Sequence, residues 1–142
     1  MAQRILIVED DPMNAKLFQI VLTRKGGYRV EVTENPAHVL REARSGSVDL
    51  IIMDVSLSNS QLDGQPVDGL EITRRLKADP DARHVPVLLA TAHAMKGSRE
   101  KFLRESGADD YVSKPIIDSD ELIQRVESLI MKGSHVVPPA DR

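Results

Sequence analysis

The stretch Leu50-Ile51-Ile52-Met53-Asp54 decides the fold. It is a short apolar run that ends abruptly on a carboxylate. Apolar runs of this length, bounded by polar segments, read as strands buried on both faces of a parallel sheet. A charge that ends such a strand stands at its carboxyl end. In open α/β sheets that edge is where ligands and chemistry collect. Asp54 is therefore the candidate reactive residue, and the rest of the chain reads as its scaffold.

Upstream, Ile5-Leu6-Ile7-Val8 is a second run of the same kind, followed at once by Glu9-Asp10-Asp11. Pro12 fits the first turn of a helix capped by Asp11. Met13, Leu17, Ile20 and Val21 mark its expected buried stripe, and Gly26-Gly27 ends it. Tyr28 to Val32 reads as the next strand. Asn35-Pro36 opens a second helix that carries Val39, Leu40 and Ala43 and stops near Gly46. Downstream of Asp54, the polar stretch Ser56 to Asp68 holds Asp63-Gly64, Pro66 and Asp68-Gly69, which are turn signals. A third helix runs from Leu70 to Ala78 with Ile72 and Leu76 inward. A fourth strand, Val85 to Thr91, and a fourth helix, Arg99 to Ser106, follow. Asp110 to Ser113 is a short fifth strand before Lys114-Pro115. Asp118 and Glu121 have capping-box spacing for a last helix burying Leu122, Ile123, Val126, Leu129 and Ile130. From Gly133 the chain reads as a frayed tail, which makes 1–132 one domain and 133–142 a flexible end.

Strands that alternate with helices imply a parallel sheet with right-handed crossovers and helices on both faces. The fold class is α/β: a flavodoxin-like, doubly wound, five-stranded parallel sheet of order 2-1-3-4-5 with five helices. Its switch point between strands 1 and 3 would bring Glu9, Asp10 and Asp54 to one crevice. Thr91 and Lys114 end strands 4 and 5 and lie on the same rim.

The chain has 142 residues, a formal net charge of −3 and only 3% aromatics, so its core is aliphatic. A pI of about 5.8 gives no support for a nucleic-acid-binding surface. The absence of Cys excludes disulfides and thiolate metal sites. No stretch has the pattern of a signal peptide or membrane span, so a cytoplasmic protein is expected. His38, His84 and His135 fall in no constellation and are expected to be solvated; His93 reads as a surface or groove residue.

Carboxylates gathered in one crevice repel each other, at roughly 4 kcal/mol per pair for about 4 Å and an effective dielectric near 20. A divalent cation removes that cost. Oxygen ligands without Cys or a suitably placed His point to Mg²⁺, which keeps several waters and accepts phosphate oxygens. Lys114 adds a point charge suited to phosphate and Thr91 a hydroxyl donor. Metal, ammonium, hydroxyl and a carboxylate nucleophile make a phosphoryl-transfer site.

At this point the chain resembles the response-regulator receiver domains of two-component signalling. The resemblance runs from Arg4 to about Met131. It rests on Ile5-Leu6-Ile7-Val8-Glu9-Asp10, Leu50-Ile51-Ile52-Met53-Asp54, Asp68-Gly69-Leu70-Glu71, Val85-Pro86-Val87 with Thr91-Ala92, and Gly107-Ala108-Asp109 with Tyr111-Val112-Ser113-Lys114-Pro115, in that order and spacing. It implies that Asp54 accepts a phosphoryl group from a phosphohistidine on a sensor histidine kinase or histidine phosphotransfer protein. Glu9, Asp10, Asp54 and the backbone carbonyl of Ser56 would hold Mg²⁺. Thr91 and Lys114 would contact the phosphoryl oxygens, and Tyr111 would turn inward on activation. The face made by helix 4, strand 5 and helix 5 would then change shape for a downstream protein target. A cis Lys114-Pro115 bond is also implied. The stretch Ala92-His93-Ala94-Met95-Lys96-Gly97 is most similar to single-domain cell-division regulators and hybrid-kinase receivers, and the end of the chain after helix 5 suggests no output domain. The expected protein is a phosphoacceptor, not an enzyme, with slow self-dephosphorylation, monomeric or weakly dimeric.

Two features depart from the family. Leu57-Ser58 stands where Leu-Pro is usual, and the loop to Asp68-Gly69 is longer. As a lid or binding loop it would tune phosphoryl lifetime or kinase choice; the alternative is an inert surface insertion. Two rival functions also suit an Asp with Mg²⁺ or a receiver-like fold. One is a receiver-like interaction module that is not phosphorylated. The other is a Mg²⁺-dependent aspartate-nucleophile phosphatase or dehalogenase, which would place a second acid two residues after its nucleophile on strand 1. Here that strand ends Glu9-Asp10-Asp11-Pro12, without the Thr such enzymes carry next.

Overall fold

The computed structural model describes residues 2–58, 60–92 and 98–135, the last three in backbone only. The expected tail from 136 onward and the stretch 93–97, with His93, lie outside the described residues. The five apolar runs become β1 (Arg4–Val8), β2 (Arg29–Thr33), β3 (Leu50–Asp54), β6 (Val87–Thr91) and β7 (Asp110–Ser113). They pair in parallel in the order β2-β1-β3-β6-β7. With the intervening small hairpin set aside, this is the expected 2-1-3-4-5. The helices are α1 (Pro12–Arg24), α2 (Pro36–Arg44), α3 (Gly69–Ala78), α4 (Ser98–Ser106) and α5 (Ser119–His135).

Strand side chains alternate between faces, so the sheet separates two apolar layers. Leu6, Val8, Ile51 and Met53 pack with Val39, Ile72 and Leu76 of α2 and α3. Ile5, Ile7 and Ile52 pack with Phe18 and Leu22 of α1 and with Leu122 and Val126 of α5. Both sides of β3 are thus covered, and every residue of it is buried. Helix starts follow the expected caps: the Asp11 side chain accepts from Met13 N at 2.9 Å, and that of Asp118 accepts from Glu121 N at 3.1 Å.

Three local expectations change. The buried stripe of α1 is Ala15, Phe18, Val21 and Leu22, whereas Met13 is 81% and Ile20 38% exposed. This helix carries apolar residues at two angular positions, and Phe18, the bulkiest, takes the inward one. Helix α5 continues through Gly133 to His135, because an isolated glycine weakens a helix without ending it. His38 is not simply solvated; its Nε2 lies 2.8 Å from Glu31 Oε2. His84 is exposed, as expected.

The long loop after Asp54 is structured. Gln61–Leu62 (β4) and Gln65–Pro66 (β5) form an antiparallel hairpin. Its two turn residues, Asp63 (φ 54°) and Gly64 (φ 77°), both adopt positive φ. That is the signature of a type I′ turn, whose twist matches paired strands. Leu57, Leu62 and Val67 are buried in the layer beneath α2 and α3. Ser60 Oγ donates to Glu34 O at 2.9 Å, and Val67 N donates to Ser60 O at 3.0 Å. The insertion thus adds side chains to the core.

Candidate functional site

β1 and β3 are neighbours, so the acids that follow β1 meet the acid that ends β3. Asp54 pairs with Ala90 of β6 and is 3% exposed; Glu9 is 4% exposed. Glu9, Asp10 and Asp54 each offer a carboxylate oxygen, all within 4.8 Å of one another. Lys114, just past β7, reaches across this group. Its Nζ donates to Asp54 Oδ1 at 2.9 Å and to Glu9 Oε1 at 2.9 Å. Its side chain is also buried, so the two ion pairs are shielded from water. The Lys114-Pro115 bond is cis. Lys114 N donates to Thr91 O at 2.8 Å, which joins the ends of β7 and β6.

Further hydrogen bonds fix the acids. Ser56 N donates to Asp54 Oδ1 at 3.1 Å, and Asp11 N donates to Glu9 Oε2 at 3.2 Å. Ser58 donates to Asp10 Oδ2 twice, from N at 2.9 Å and from Oγ at 2.8 Å. Burial, with the neighbouring Asp54 carboxylate, pushes the Glu9 carboxyl up to about 7, against the pull of Lys114. Burial raises Asp10, but the hydrogen bonds it accepts, those from Ser58 foremost, together outweigh it and hold the carboxyl below the usual range. Burial lowers Lys114, but its bonds to Asp54 and Glu9 outweigh this and keep it charged.

The structure therefore brings Glu9, Asp10, Asp54 and Lys114 together, with Ser56 beside them and Thr91 fully buried at the end of β6. Tyr111 stands apart on β7. It is 7% exposed and packs on Phe102 of α4 with ring centroids 6.2 Å apart, so its ring already lies inward. Two contributors were not legible as such. Ser58 stood out only as a departure from the family pattern. Gly69 reads in the sequence as part of a turn, yet a Cβ there would sit 1.9 Å from the Asp54 carbonyl oxygen. A glycine lets α3 press directly on β3.

The acid group fits Mg²⁺. Two ligands on one such ion, each at about 2.0–2.1 Å, are separated by roughly 3–4 Å, a span that falls inside the 4.8 Å bounding the three carboxylate oxygens. A second cluster of Glu31, His38 and Glu42 also converges. There the guanidinium of Arg4 already bonds both glutamates, so a built-in cation takes the place of a metal. Among the described residues, no helix is long and apolar enough to cross a membrane.

Comparison with known proteins agrees with this geometry. The polar-differentiation response regulator DivK of Brucella anthropi is 41% identical over 116 residues, covering 82% of this chain and 87% of that protein. DivK of Brucella abortus is 40% identical over the same length. Among solved structures, the receiver domain of the sensor histidine kinase PA1611 from Pseudomonas aeruginosa superposes with a TM-score of 0.76 at 34% identity, covering 92% of this chain and 99% of that one. That structure has a magnesium ion coordinated in its active-site cleft. The receiver domain of a signal transduction histidine kinase from Syntrophus aciditrophicus superposes with a TM-score of 0.76 at 32% identity, covering 97% and 96%. The model of the response regulator receiver domain matches residues 5–127, and the chain belongs to that family.

Proposed function

We propose that this receiver domain takes a phosphoryl group onto Asp54 from a phosphohistidine of a sensor histidine kinase or histidine phosphotransfer protein. The observation that carries the reading is Lys114 Nζ, 2.9 Å from both Asp54 Oδ1 and Glu9 Oε1 inside a buried acid group. Ser56 N and Lys114 Nζ both bond Oδ1, which leaves Oδ2 as the attacking atom. Oδ2 forms the new O–P bond as the P–N bond to histidine breaks, and the imidazole leaves with that electron pair. Glu9, Asp10, Asp54 and the Ser56 carbonyl would hold Mg²⁺, which would supply charge neutralisation on the phosphoryl oxygens. Lys114 turns its ammonium from Asp54 to those oxygens, and the Thr91 hydroxyl donates to another. A water that reaches the acyl phosphate returns Asp54 slowly to its free form.

The readout is the face of α4, β7 and α5, where Tyr111 and Phe102 pack together, and a downstream protein binds it. The receiver unit is 1–132, at work in the cytoplasm as a monomer or weak dimer. The test is labelling by a phosphohistidine donor or by acetyl phosphate. The parent chain is expected to form an acid-stable, base-labile phosphoprotein, and Asp54→Asn is expected to keep the fold and lose the label. Undiminished labelling of that variant would assign the acceptor elsewhere.

A further inference from the structure

Ser58 makes two hydrogen bonds to a residue 48 positions away, and both end on one oxygen. Its N–H reaches Asp10 Oδ2 at 2.9 Å and its hydroxyl reaches the same atom at 2.8 Å. Asp10 Oδ1 takes no part in this clamp. Two donors on one oxygen fix the carboxylate plane, which a single bond would leave free to turn. The base of the clamp is firm. Leu57, immediately before it, is buried in the core with Leu62 and Val67 of the insertion. Ser60, 4% exposed, bonds Glu34 O through its hydroxyl and receives Val67 N on its carbonyl.

We propose that Ser58 is a positioning residue for the cation ligand Asp10, and that through Ser58 the hairpin β4–β5 is fastened to the cation site. The proposal rests on the reading of Glu9, Asp10 and Asp54 as the Mg²⁺ ligands. The clamp holds Oδ2 and with it the carboxylate, so the group does not have to be ordered when the ion arrives. Groups that hydrogen-bond a ligating carboxylate commonly contribute about 10- to 100-fold to metal affinity. Ser58 is exposed and its N–H survives replacement by alanine, so loss of the hydroxyl alone removes a smaller factor. Linkage makes the effect reciprocal. If the clamp favours the bound ion, the bound ion steadies the clamp and the hairpin behind it. Cation occupancy is then felt at a surface built by the insertion, apart from the face of α4, β7 and α5.

The experiment titrates Mg²⁺ alone into the full chain by calorimetry, for the parent, Ser58→Ala, Ser58→Thr and Asp10→Asn. Amide exchange at Ser58 and from Gln61 to Val67 is followed in EDTA and in saturating Mg²⁺. Ser58→Ala is expected to bind about fivefold more weakly, and Ser58→Thr, which keeps both donors, like the parent. Mg²⁺ is expected to slow exchange across the hairpin in the parent and in Ser58→Thr, but not in Ser58→Ala. A purely structural role would leave that contrast between EDTA and Mg²⁺ unchanged. Equal or tighter binding by Ser58→Ala, or parent hairpin amides indifferent to Mg²⁺, overturns the proposal. If Asp10→Asn loses binding while the Ser58 variants do not, only the clamp is wrong. If Asp10→Asn binds like the parent, the assignment of the cation ligands fails with it.

Discussion

Gly69→Ala is the perturbation whose cost is most directly set by the structure. The added Cβ would stand 1.9 Å from the Asp54 carbonyl oxygen, 2.8 Å from its carbon and 3.0 Å from Met53 Cγ. The two nearest atoms are backbone, so no side chain can swing aside. The first turn of α3 must retreat from β3 by about 1 Å, and the Gly69 N to Val55 O bond of 3.1 Å opens. Overpacking of this kind costs about 1–3 kcal/mol, and a lost hydrogen bond adds about 1 kcal/mol. Helix propensity returns at most about 1 kcal/mol. The contact therefore decides the sign, with a net loss of about 2 kcal/mol. With a urea slope of about 1–3 kcal/mol per molar, the unfolding midpoint falls by about 1–2 M. Asp54 moves with its carbonyl, so labelling by acetyl phosphate under folding conditions slows as well, by up to about 100-fold for a displacement of that size. Urea unfolding followed by circular dichroism, with labelling rates taken in parallel, measures both. A midpoint equal to the parent's would mean that α3 does not press on the acceptor strand.

The same approach extends to two other positions. Leu62→Ala should cost about 2–3 kcal/mol in urea unfolding if the insertion is part of the core; a change near zero would return it to the status of a surface addition. Glu9 has a carboxyl raised above its unfolded value of 4.5 to about 7, so its stabilising contribution is full below pH 4.5 and is lost as the pH rises through 7. In EDTA the stability difference between parent and Glu9→Gln should fall by a few kcal/mol across that window and flatten when Mg²⁺, which binds the ionised form, is added; a difference independent of pH contradicts the burial that raises this carboxyl.

The sheet and its acid edge were legible because the signals are short and dense. Ile5 to Val8 and Leu50 to Asp54 are apolar on both faces, and each ends on carboxylates. Strand order then brings Glu9, Asp10 and Asp54 together without further information. Lys114 was visible because it directly follows the last strand. The hairpin was not, although Asp63-Gly64 is a hairpin turn pair. Its flanks, Gln61-Leu62 and Gln65-Pro66, are too short to show alternation, and Pro66 argues against a strand. The face of α1 was misjudged because Met13 and Ile20 repeat at helical spacing as well as Phe18 does. Spacing alone does not say which of two apolar stripes meets the sheet. Ser58 and Gly69 act through contacts with residues distant in the chain or through the want of a side chain. Neither leaves a local pattern.

The hairpin has a practical use that follows from how it closes. Its two ends are pinned to each other by Val67 N on Ser60 O, and Gly69 N on Val55 O ties the exit to the strand end. Its tip, Asp63-Gly64, is exposed. Residues added at that tip lengthen a loop whose ends are already closed, and the entropy of doing so grows only logarithmically. The tip is therefore a port for grafting. A fluorescent label or a short epitope placed there would sit on a stalk rooted beside Asp54, without crossing the sheet or the face of α4, β7 and α5.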